Sequence, residues 1–282
     1  MAEKHLAGIE LSLTAEDWSG HLEVRAGLDG SVTNSGVARY RALSGRHLRT
    51  LETGSTGPDR VLLRSRMVTS GLEVAVAARV QLFEDGRQAP VSREVSRDDD
   101  GVSLTLGCDV EEGQTIVAEK IVALHTGRDT ASAGAGLEAS ESVERAPGFA
   151  GLAAEQALAW SQLWDDFDIE IDGRTDAATL GKLRLYLFHL LQTVSVHTAD
   201  VDAGVPARGW HGEAYRGHVF WDEIFIFPLF TLRRPSLTRS LLLYRYRRLD
   251  AARREARAAG FRGAMYPWQS GSNGREECQQ VH

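Results

Sequence analysis

The chain is organised around one stretch, residues 206–228, which reads PARGWHGEAYRGHVFWDEIFIFP. Three glycines in its first half, Gly209, Gly212 and Gly217, are spaced among charged and aromatic residues, a pattern that predicts a shaped loop. Its second half is apolar and predicts a helix. Aromatic faces pack on the C–H face of a sugar ring, and charged groups of fixed geometry hydrogen-bond its hydroxyls. The stretch therefore predicts a binding site for a polyhydroxylated ligand.

Two other interpretations of this stretch stay open. Charges before an apolar helix can form a buried ion-pair network that only caps the helix, because a charge removed from water needs a partner. A metal site is the weaker alternative, in which His218 and Asp222, four residues apart, share a helix face and His211 is a third ligand. No further His, Cys or acidic residue completes a recognised spacing, so we expect no metal.

The composition of the whole chain limits the possible functions. Its 282 residues, 43% of them hydrophobic, suffice for one large globular domain or two ordinary ones. The net charge of −7 argues against a nucleic-acid or anionic-membrane partner, since both attract basic surfaces. Ten arginines between Leu232 and Arg262 follow a helical pattern and predict a solvated, salt-bridged helix face.

Cysteine content and the N-terminal residues bear on the cellular compartment. Cys108 and Cys278 are the two cysteines, and without a CxxC spacing they predict neither a disulfide framework nor a zinc site. Residues 1–10 lack the pattern of a signal peptide, and no apolar run reaches the ~18 to 20 residues that span a bilayer. We therefore expect a cytoplasmic protein without a membrane partner.

The first part of the chain, from about Ile9 to Leu124, alternates apolar and polar residues in short segments divided by turn signals. The clearest segments are His21–Ala26, Leu72–Leu82 and Val102–Leu106. Several short strands at this spacing predict an antiparallel β-sandwich. The Ala-, Gly-, Ser- and Glu-rich residues 126–147 then predict a linker, and Phe149–Phe167 predicts a connecting helix.

From Asp176 onward the pattern is that of helices. Apolar residues recur at steps of three and four from Leu180 to Val194, which predicts one buried helix face. Ile224–Leu232 predicts another helix, which Pro228 should kink or shorten.

The last part of the chain carries a long helix and a second loop. Ser236 has the character of an N-cap for one helix that ends near Gly260. Residues 263–277 are again rich in glycine and hold aromatic, amide and acidic side chains. Because this second loop has the same chemistry as the first, we expect the two loops to meet at one pocket.

Longer motifs identify a resemblance to a known family. They are Arg208-Gly209, Gly212 to Asp222, Tyr266-Pro267-Trp268-Gln269-Ser270, Phe188-His189-Leu190-Leu191-Gln192 and Val37-Ala38-Arg39-Tyr40-Arg41. Together they span nearly the whole chain and closely resemble glycoside hydrolase family 65, which contains the trehalose, maltose and kojibiose phosphorylases and the acid trehalases.

The resemblance implies a multidomain fold of β and then α structure. It comprises a partial antiparallel β-sandwich, a linker helix and then the first helices of an (α/α)6 barrel, the six-hairpin glycosidase architecture. We expect residues 1–125 to form the sandwich, without its N-terminal part. Residues 126–173 would be the linker and connecting helix, and residues 174–282 the incomplete start of the catalytic barrel.

The resemblance also implies the substrate-binding residues. Trp221 and Asp222 match the pair that binds the transferred glucosyl unit, with Asp222 accepting hydrogen bonds from its hydroxyls. The further substrate-binding candidates are Arg208, Arg216, His218, Trp268 and Glu276. Trp210 and His211 stand where many members have Leu-Thr, which leaves the acceptor preference open.

The implied activity is inverting cleavage of an α-linked glucose disaccharide such as trehalose, maltose or kojibiose, by phosphorolysis or hydrolysis. Inorganic phosphate is the co-substrate of a phosphorylase, no cofactor is expected, and family members are often homodimers. The family's general acid is a Glu in an Asp-Glu-Tyr-type segment that lies after the positions present here. We therefore expect a fragment without the catalytic residue and without activity by itself. The alternative is a truncated, non-catalytic product that retains only part of the sugar-binding pocket.

Overall fold

The computed structural model describes residues 2–130, 132–169, 171, 176–199, 201–209, 214–271 and 273–278. The chain divides into two compact units. One consists of Ala2–Ser35 and Tyr40–Trp160, and the other of Gly36–Arg39 and Ser161–His282. Within the part of the chain that the structure describes, no helix has the length and apolarity needed to cross a bilayer.

Nine strands lie in the described part of the first unit. They are β1 (Leu6–Thr14), β2 (Gly20–Asp29), β3 (Leu48–Gly57), β4 (Arg60–Met67), β5 (Glu73–Glu84), β6 (Arg87–Gln88), β7 (Ser92–Arg97), β8 (Gly101–Val110) and β9 (Thr115–Thr126). One sheet has the order β1-β9-β5-β4-β3, with β6 paired to β5, and the other has the order β2-β8-β7. Every strand pair is antiparallel.

Alternation places one face of each sheet in a shared core, as the sequence predicts. In β2 the residues Leu22, Val24 and Ala26 pack against that core, while the residues between them are exposed. The fully buried members of this core include Leu82 of β5 in one sheet and Leu104 of β8 in the other. The predicted antiparallel sandwich is therefore confirmed.

The expected linker over residues 126–147 is wrong in part, because helix α1 occupies Ala135–Arg145. Alanine is the best helix former, and its small side chain lets a helix lie close to a sheet. Ala135, Ala139 and Val143 form the buried face of α1 and pack on sheet residues such as Ala77. The alanine and glutamate composition that indicated a linker thus belongs to an amphipathic helix.

Arg79 of β5 holds the C-terminal end of α1. Its guanidinium donates to the carbonyl oxygens of Val143 at 2.9 Å, Ala146 at 3.0 Å and Pro147 at 3.1 Å. A cation at this position satisfies carbonyls that no helical N–H can reach. Glu119, 3.7 Å from Arg79, accepts the backbone N–H of Phe149 at 2.5 Å. That N–H begins helix α2, which spans Phe149–Phe167 as predicted.

The second unit contains helices α3 (Ala177–Thr193), α4 (Glu223–Arg233), α5 (Pro235–Tyr246) and α6 (Leu249–Ala258). Asp176 caps α3 by accepting the N–H of Thr179 at 2.7 Å. The predicted apolar face is confirmed, since Leu187, Leu191 and Val194 are buried. Helix α4 continues through Pro228 rather than ending there.

The single long helix predicted from Ser236 to Gly260 is wrong, because the segment forms α5 and α6. Pro235, not Ser236, opens α5, since its fixed φ and missing N–H suit the first helical position. The helix breaks because the Arg248 side chain takes the Tyr244 carbonyl, while the Arg248 N–H bonds the carbonyl of Arg245.

The predicted end at Gly260 is confirmed. Gly260 has a φ of 80° and donates to Arg257, and Phe261 donates to Ala256. This pair of hydrogen bonds with a left-handed glycine is the Schellman arrangement.

Two histidines stack near the end of β9. The rings of His5 and His125 lie 3.8 Å apart between centroids and are nearly parallel. His125 is buried, and its Nε2 lies 2.9 Å from Ser142 Oγ of α1. Burial, together with the neighbouring His5, lowers the pKa of His125 below its usual 6.5.

Substituting Arg79→Met keeps an apolar stem but removes every donor that holds the end of α1. We expect the free energy of unfolding to fall by about 2–4 kcal/mol, because the carbonyls and the buried Glu119 both lose a cation. Denaturant unfolding measures this loss. Arg93→Met on the exposed strand β7 is the matched control and should change stability by less than about 0.5 kcal/mol. Equal losses in the two variants would contradict the assigned role of Arg79.

A pH titration of stability tests the environment of His125. The unfolded chain protonates this residue near pH 6.5, whereas the folded chain does so only at a lower pH. Stability is therefore lost as the pH falls from about 6.5 toward the folded-state pKa. His125→Gln should lose less stability between pH 7 and pH 5 than the wild type or the exposed-site control His47→Gln. Identical pH profiles in all three proteins would show that His125 titrates normally.

Candidate functional site

The two glycine-rich loops of the second unit meet, as the sequence predicts. Val219 and Ser270 exchange backbone hydrogen bonds of 3.0 and 2.9 Å, which join the loop before α4 to the loop after α6. Further bridges link Val219 to Pro206 and Ser270 to Glu276. Four chain segments thus lie side by side, and the candidate residues follow or flank these bridges.

The first loop contains three successive residues in the left-handed region. Tyr215 and Arg216 have φ values of 62° and 51°, and Gly217 follows at 70°. For a residue with a side chain this conformation costs about 1–2 kcal/mol, so the surroundings must hold it in place. The Tyr215 ring lies 5.3 Å from the guanidinium carbon of Arg39 and 5.9 Å from that of Arg208. Such cation–π contacts with two arginines help to hold the ring in place.

Trp221 and Asp222 lie at the start of α4. The Trp221 side chain is 50% exposed and packs edge-on against Phe225. Asp222 occupies the N-cap position, yet its side chain makes no capping hydrogen bond. An indole face and a carboxylate not used by the helix are therefore adjacent on this turn.

Glu223, the next residue, is buried and structural. Its Oε1 accepts the N–H of Val205 at 3.0 Å, and its Oε2 accepts Nε and Nη2 of Arg245 at 3.3 and 3.2 Å. Burial raises the pKa of Glu223, and the Val205 N–H and Arg245 oppose that rise. The ion-pair alternative for this stretch is thus realised at Glu223 and not at the neighbouring Asp222.

In the second loop Glu276 shapes the backbone around Trp268. Its carboxylate accepts the N–H groups of Trp268 at 2.6 Å, Gln269 at 3.1 Å and Cys278 at 2.8 Å. Burial alone would raise the pKa of Glu276, but these N–H groups stabilise the ionised form and lower it. Trp268 itself is 59% exposed, and its ring lies edge-to-face with Phe220 of the first loop, with the ring centroids 6.2 Å apart.

His218 is the most enclosed of the candidates, at 8% exposure. Its Nδ1 is buried and has no hydrogen-bond partner among the described residues. Burial and the neighbouring Arg216 lower the pKa of His218, which favours the neutral imidazole. Arg208 and Arg216 are both exposed, and Arg216 Nη2 lies 3.4 Å from the Glu277 carbonyl.

The geometry does not favour the metal alternative. Helix α4 begins at Glu223, so His218 and Asp222 do not share a helix face, and His211 lies outside the described residues. Among the described residues, His5, His125 and Asp129 bring possible ligand atoms within 4.8 Å of one another. The two imidazoles there are stacked rather than convergent, and the Lys4 ammonium lies 2.8 Å from Asp129 Oδ1.

Sequence reasoning missed the residues of α5 that support the loops. Tyr244 Oη bonds Ser270 Oγ at 2.6 Å and the Gly271 carbonyl at 2.8 Å, and Arg245 bonds Glu223. The helical pattern of arginines predicts a solvated face for Arg245, and this prediction is wrong because its guanidinium packs inward against Glu223. Its position four residues after the buried Leu241 is the signal that places it on the inner side of the helix. Trp210 and Glu213 lie outside the described residues.

The chain resembles proteins of one family along most of its length. Residues 1–163 match the glycosyl hydrolase family 65 N-terminal domain, and residues 184–282 match the family 65 central catalytic domain. An uncharacterized glycosyl hydrolase of Mycobacterium tuberculosis is 45% identical over 282 residues, all of this chain and 21% of that protein. Kojibiose phosphorylase of Halothermothrix orenii is 33% identical over 287 residues, 98% of this chain and 35% of that enzyme.

A solved structure of a protein from the human microbiome, whose name describes it as a kojibiose phosphorylase, has a similar fold. Its TM-score is 0.77 at 20% sequence identity, and the match covers 97% of this chain and 34% of that one. The predicted fold class, an antiparallel sandwich followed by the first helices of an (α/α)6 barrel, is thereby confirmed. The chain spans between about a fifth and about a third of the length of these relatives. The two domain matches show that the chain belongs to glycoside hydrolase family 65.

Proposed function

We propose that the protein acts in carbohydrate metabolism as a disaccharide phosphorylase. Its substrate is an α-linked glucose disaccharide of the kojibiose, trehalose or maltose kind, and inorganic phosphate is its co-substrate. No cofactor takes part. The family membership of both matched regions and the similarity to a kojibiose phosphorylase support this proposal.

The observation that carries the proposal is the placement of Trp221 and Asp222. Both residues come just after the bridged residue Val219 in the chain, and the next residue, Glu223, is buried in the interior. The exposed indole offers a face for the C–H groups of a glucosyl ring, and the Asp222 carboxylate is an acceptor for neighbouring hydroxyls. We assign these two residues to the glucosyl subsite.

The other candidates take supporting roles in this proposal. His218, Arg208 and Arg216 shape the subsite, His218 from its buried position and Arg208 beside the Tyr215 ring. Trp268 offers a second aromatic face on the neighbouring loop, while Glu276 holds the backbone of that loop.

The reaction needs one carboxylic acid and one nucleophile. The acid protonates the glycosidic oxygen as its bond to the anomeric carbon breaks, while a phosphate oxygen bonds that carbon from the opposite face. Inversion converts the α-glucoside into β-glucose 1-phosphate and releases the second sugar. We propose that this acid comes from outside residues 1–282, so that the chain alone binds glucosyl groups without cleaving them.

The setting of the reaction is also a proposal. Cys108 and Cys278 are free thiols, which suits a reducing compartment, and we propose that the protein works in the cytoplasm. We further propose a homodimer for the complete enzyme, without a nucleic-acid or membrane partner, in keeping with the net charge of −7.

Phosphate-dependent release of glucose 1-phosphate from kojibiose, trehalose and maltose tests the proposed function. We expect product from a version of the protein extended along its gene and none from the 282-residue chain. In the extended version, Asp222→Asn should lower kcat/KM by about 100-fold, because a charged acceptor for the glucosyl hydroxyls is lost. The matched control Asp250→Asn, on the exposed side of α6, should keep full activity.

Two results would contradict parts of this proposal. Product from the 282-residue chain would show that the acid lies within it. If the extended version releases no glucose 1-phosphate and no free glucose, it is neither a disaccharide phosphorylase nor a hydrolase of these sugars.

A further inference from the structure

Arg245 of helix α5 contacts both glycine-rich loop segments, one through its side chain and the other through its backbone carbonyl. The Arg245 side chain donates from Nη2 to the Phe220 carbonyl at 3.1 Å and to Glu223 Oε2 at 3.2 Å. The Arg245 backbone carbonyl accepts the Tyr266 hydroxyl at 3.1 Å. One residue therefore contacts the segment that carries Trp221 and the segment that carries Trp268.

The contacts of Arg245 enclose the Trp221–Asp222 dipeptide. Phe220 precedes that dipeptide and Glu223 follows it, and the same guanidinium nitrogen bonds both neighbours. The planar guanidinium presents its donors at fixed angles, so two acceptors bound to it are also fixed relative to each other. The turn between them can change its direction only if one of these bonds breaks.

Glu223 closes the same arrangement from the other side. Its second oxygen accepts the Val205 N–H, which ties the segment before the first loop to the start of α4. A Cβ at Gly204 would lie 2.8 Å from Glu223 Oε1, so this close approach requires glycine. With 4% of its surface exposed, the Glu223 carboxylate is removed from water and depends on these partners.

We propose that Glu223 and Arg245 are positioning residues that set the orientation of Trp221 and Asp222 toward the substrate. This inference rests on the proposed glucosyl subsite. The pair does not touch the sugar; it acts through the backbone on either side of the two residues that do.

Arg245→Lys separates positioning from simple charge compensation. A lysine ammonium can pair with Glu223, but it lacks the fork that also reaches the Phe220 carbonyl in fixed geometry. We expect the variant to unfold within a few degrees of the wild type and to bind kojibiose or trehalose about tenfold more weakly by calorimetry. Arg253→Lys is the matched control, because its partner Asp250 is exposed and lies on α6.

A double-substitution cycle with Asp222→Asn distinguishes positioning from a general loss of stability. If Arg245 acts through Asp222, the loss in sugar affinity from Arg245→Lys should largely disappear in the Asp222→Asn background. The inference would be overturned if the fold-loss in sugar affinity of the double variant equals the product of the two single-variant losses. It would also be overturned if Arg245→Lys leaves the sugar affinity unchanged.

A measurement without sugar separates this inference from the proposed function. In the 282-residue chain, we expect the indole N–H resonance of Trp221 and the amide resonance of Asp222 to shift in Arg245→Lys and Glu223→Gln but not in Arg253→Lys. Unchanged resonances would overturn the positioning role whether or not sugar binds. Shifted resonances together with no sugar binding by the wild type would support the positioning role and contradict the glucosyl subsite.

Discussion

The candidate site depends on the burial of one charge, the carboxylate of Glu223. A carboxylate with 4% of its surface exposed is stable only when donors surround it, and the donors come from distant parts of the chain. The Val205 N–H lies before the first loop, and Arg245 lies on α5. Meeting the needs of this charge brings three segments together and leaves the neighbouring Asp222 beside an exposed indole. Asp222 and Glu223 differ in their surroundings because the start of α4 places the Glu223 side chain in the interior and leaves Asp222 outside it.

The same physical solution recurs in the first unit. Glu119 and Arg79 are both largely buried, and they join the sheet to the helices that follow it. There the arginine bonds the last carbonyls of α1 and the glutamate bonds the first N–H of α2. In each unit, a charged side chain from a strand or a helix forms hydrogen bonds near the end of a neighbouring helix, where backbone groups lack helical partners.

Much of this structure could be predicted from the sequence because its elements follow strong periodic patterns. The alternation in β2 and β5 and the three- and four-residue steps of α3 identify buried faces directly. Helix α1 was missed because its buried face consists of two alanines, a glycine and one valine, which composition alone does not separate from a linker. The break between α5 and α6 depends on the Arg248 side chain, which bonds the Tyr244 carbonyl and pairs with the distant Asp202, and the apolar pattern of the sequence carries no signal for either contact.

The site was predictable to a similar extent. The meeting of the two loops followed from their shared chemistry, whereas the roles of Glu223, Arg245 and Tyr244 required knowledge of which helix faces pack inward. Glu276 could be singled out as a candidate, but only the structure shows its carboxylate bonded to three backbone N–H groups. Residue type indicates that an acid is important; its surroundings decide whether it binds a ligand or holds a loop.

Native-state hydrogen exchange at three backbone amides tests the central claim most directly. The Val205 N–H is bonded to Glu223, and the N–H groups of Val219 and Ser270 are bonded across the loop bridge. If the buried carboxylate organises the site, all three amides should exchange slowly and with one common opening free energy, and Glu223→Gln should lower that value for all three together. Rapid exchange at Val205 while Val219 and Ser270 stay protected, or unchanged protection in Glu223→Gln, would contradict the account.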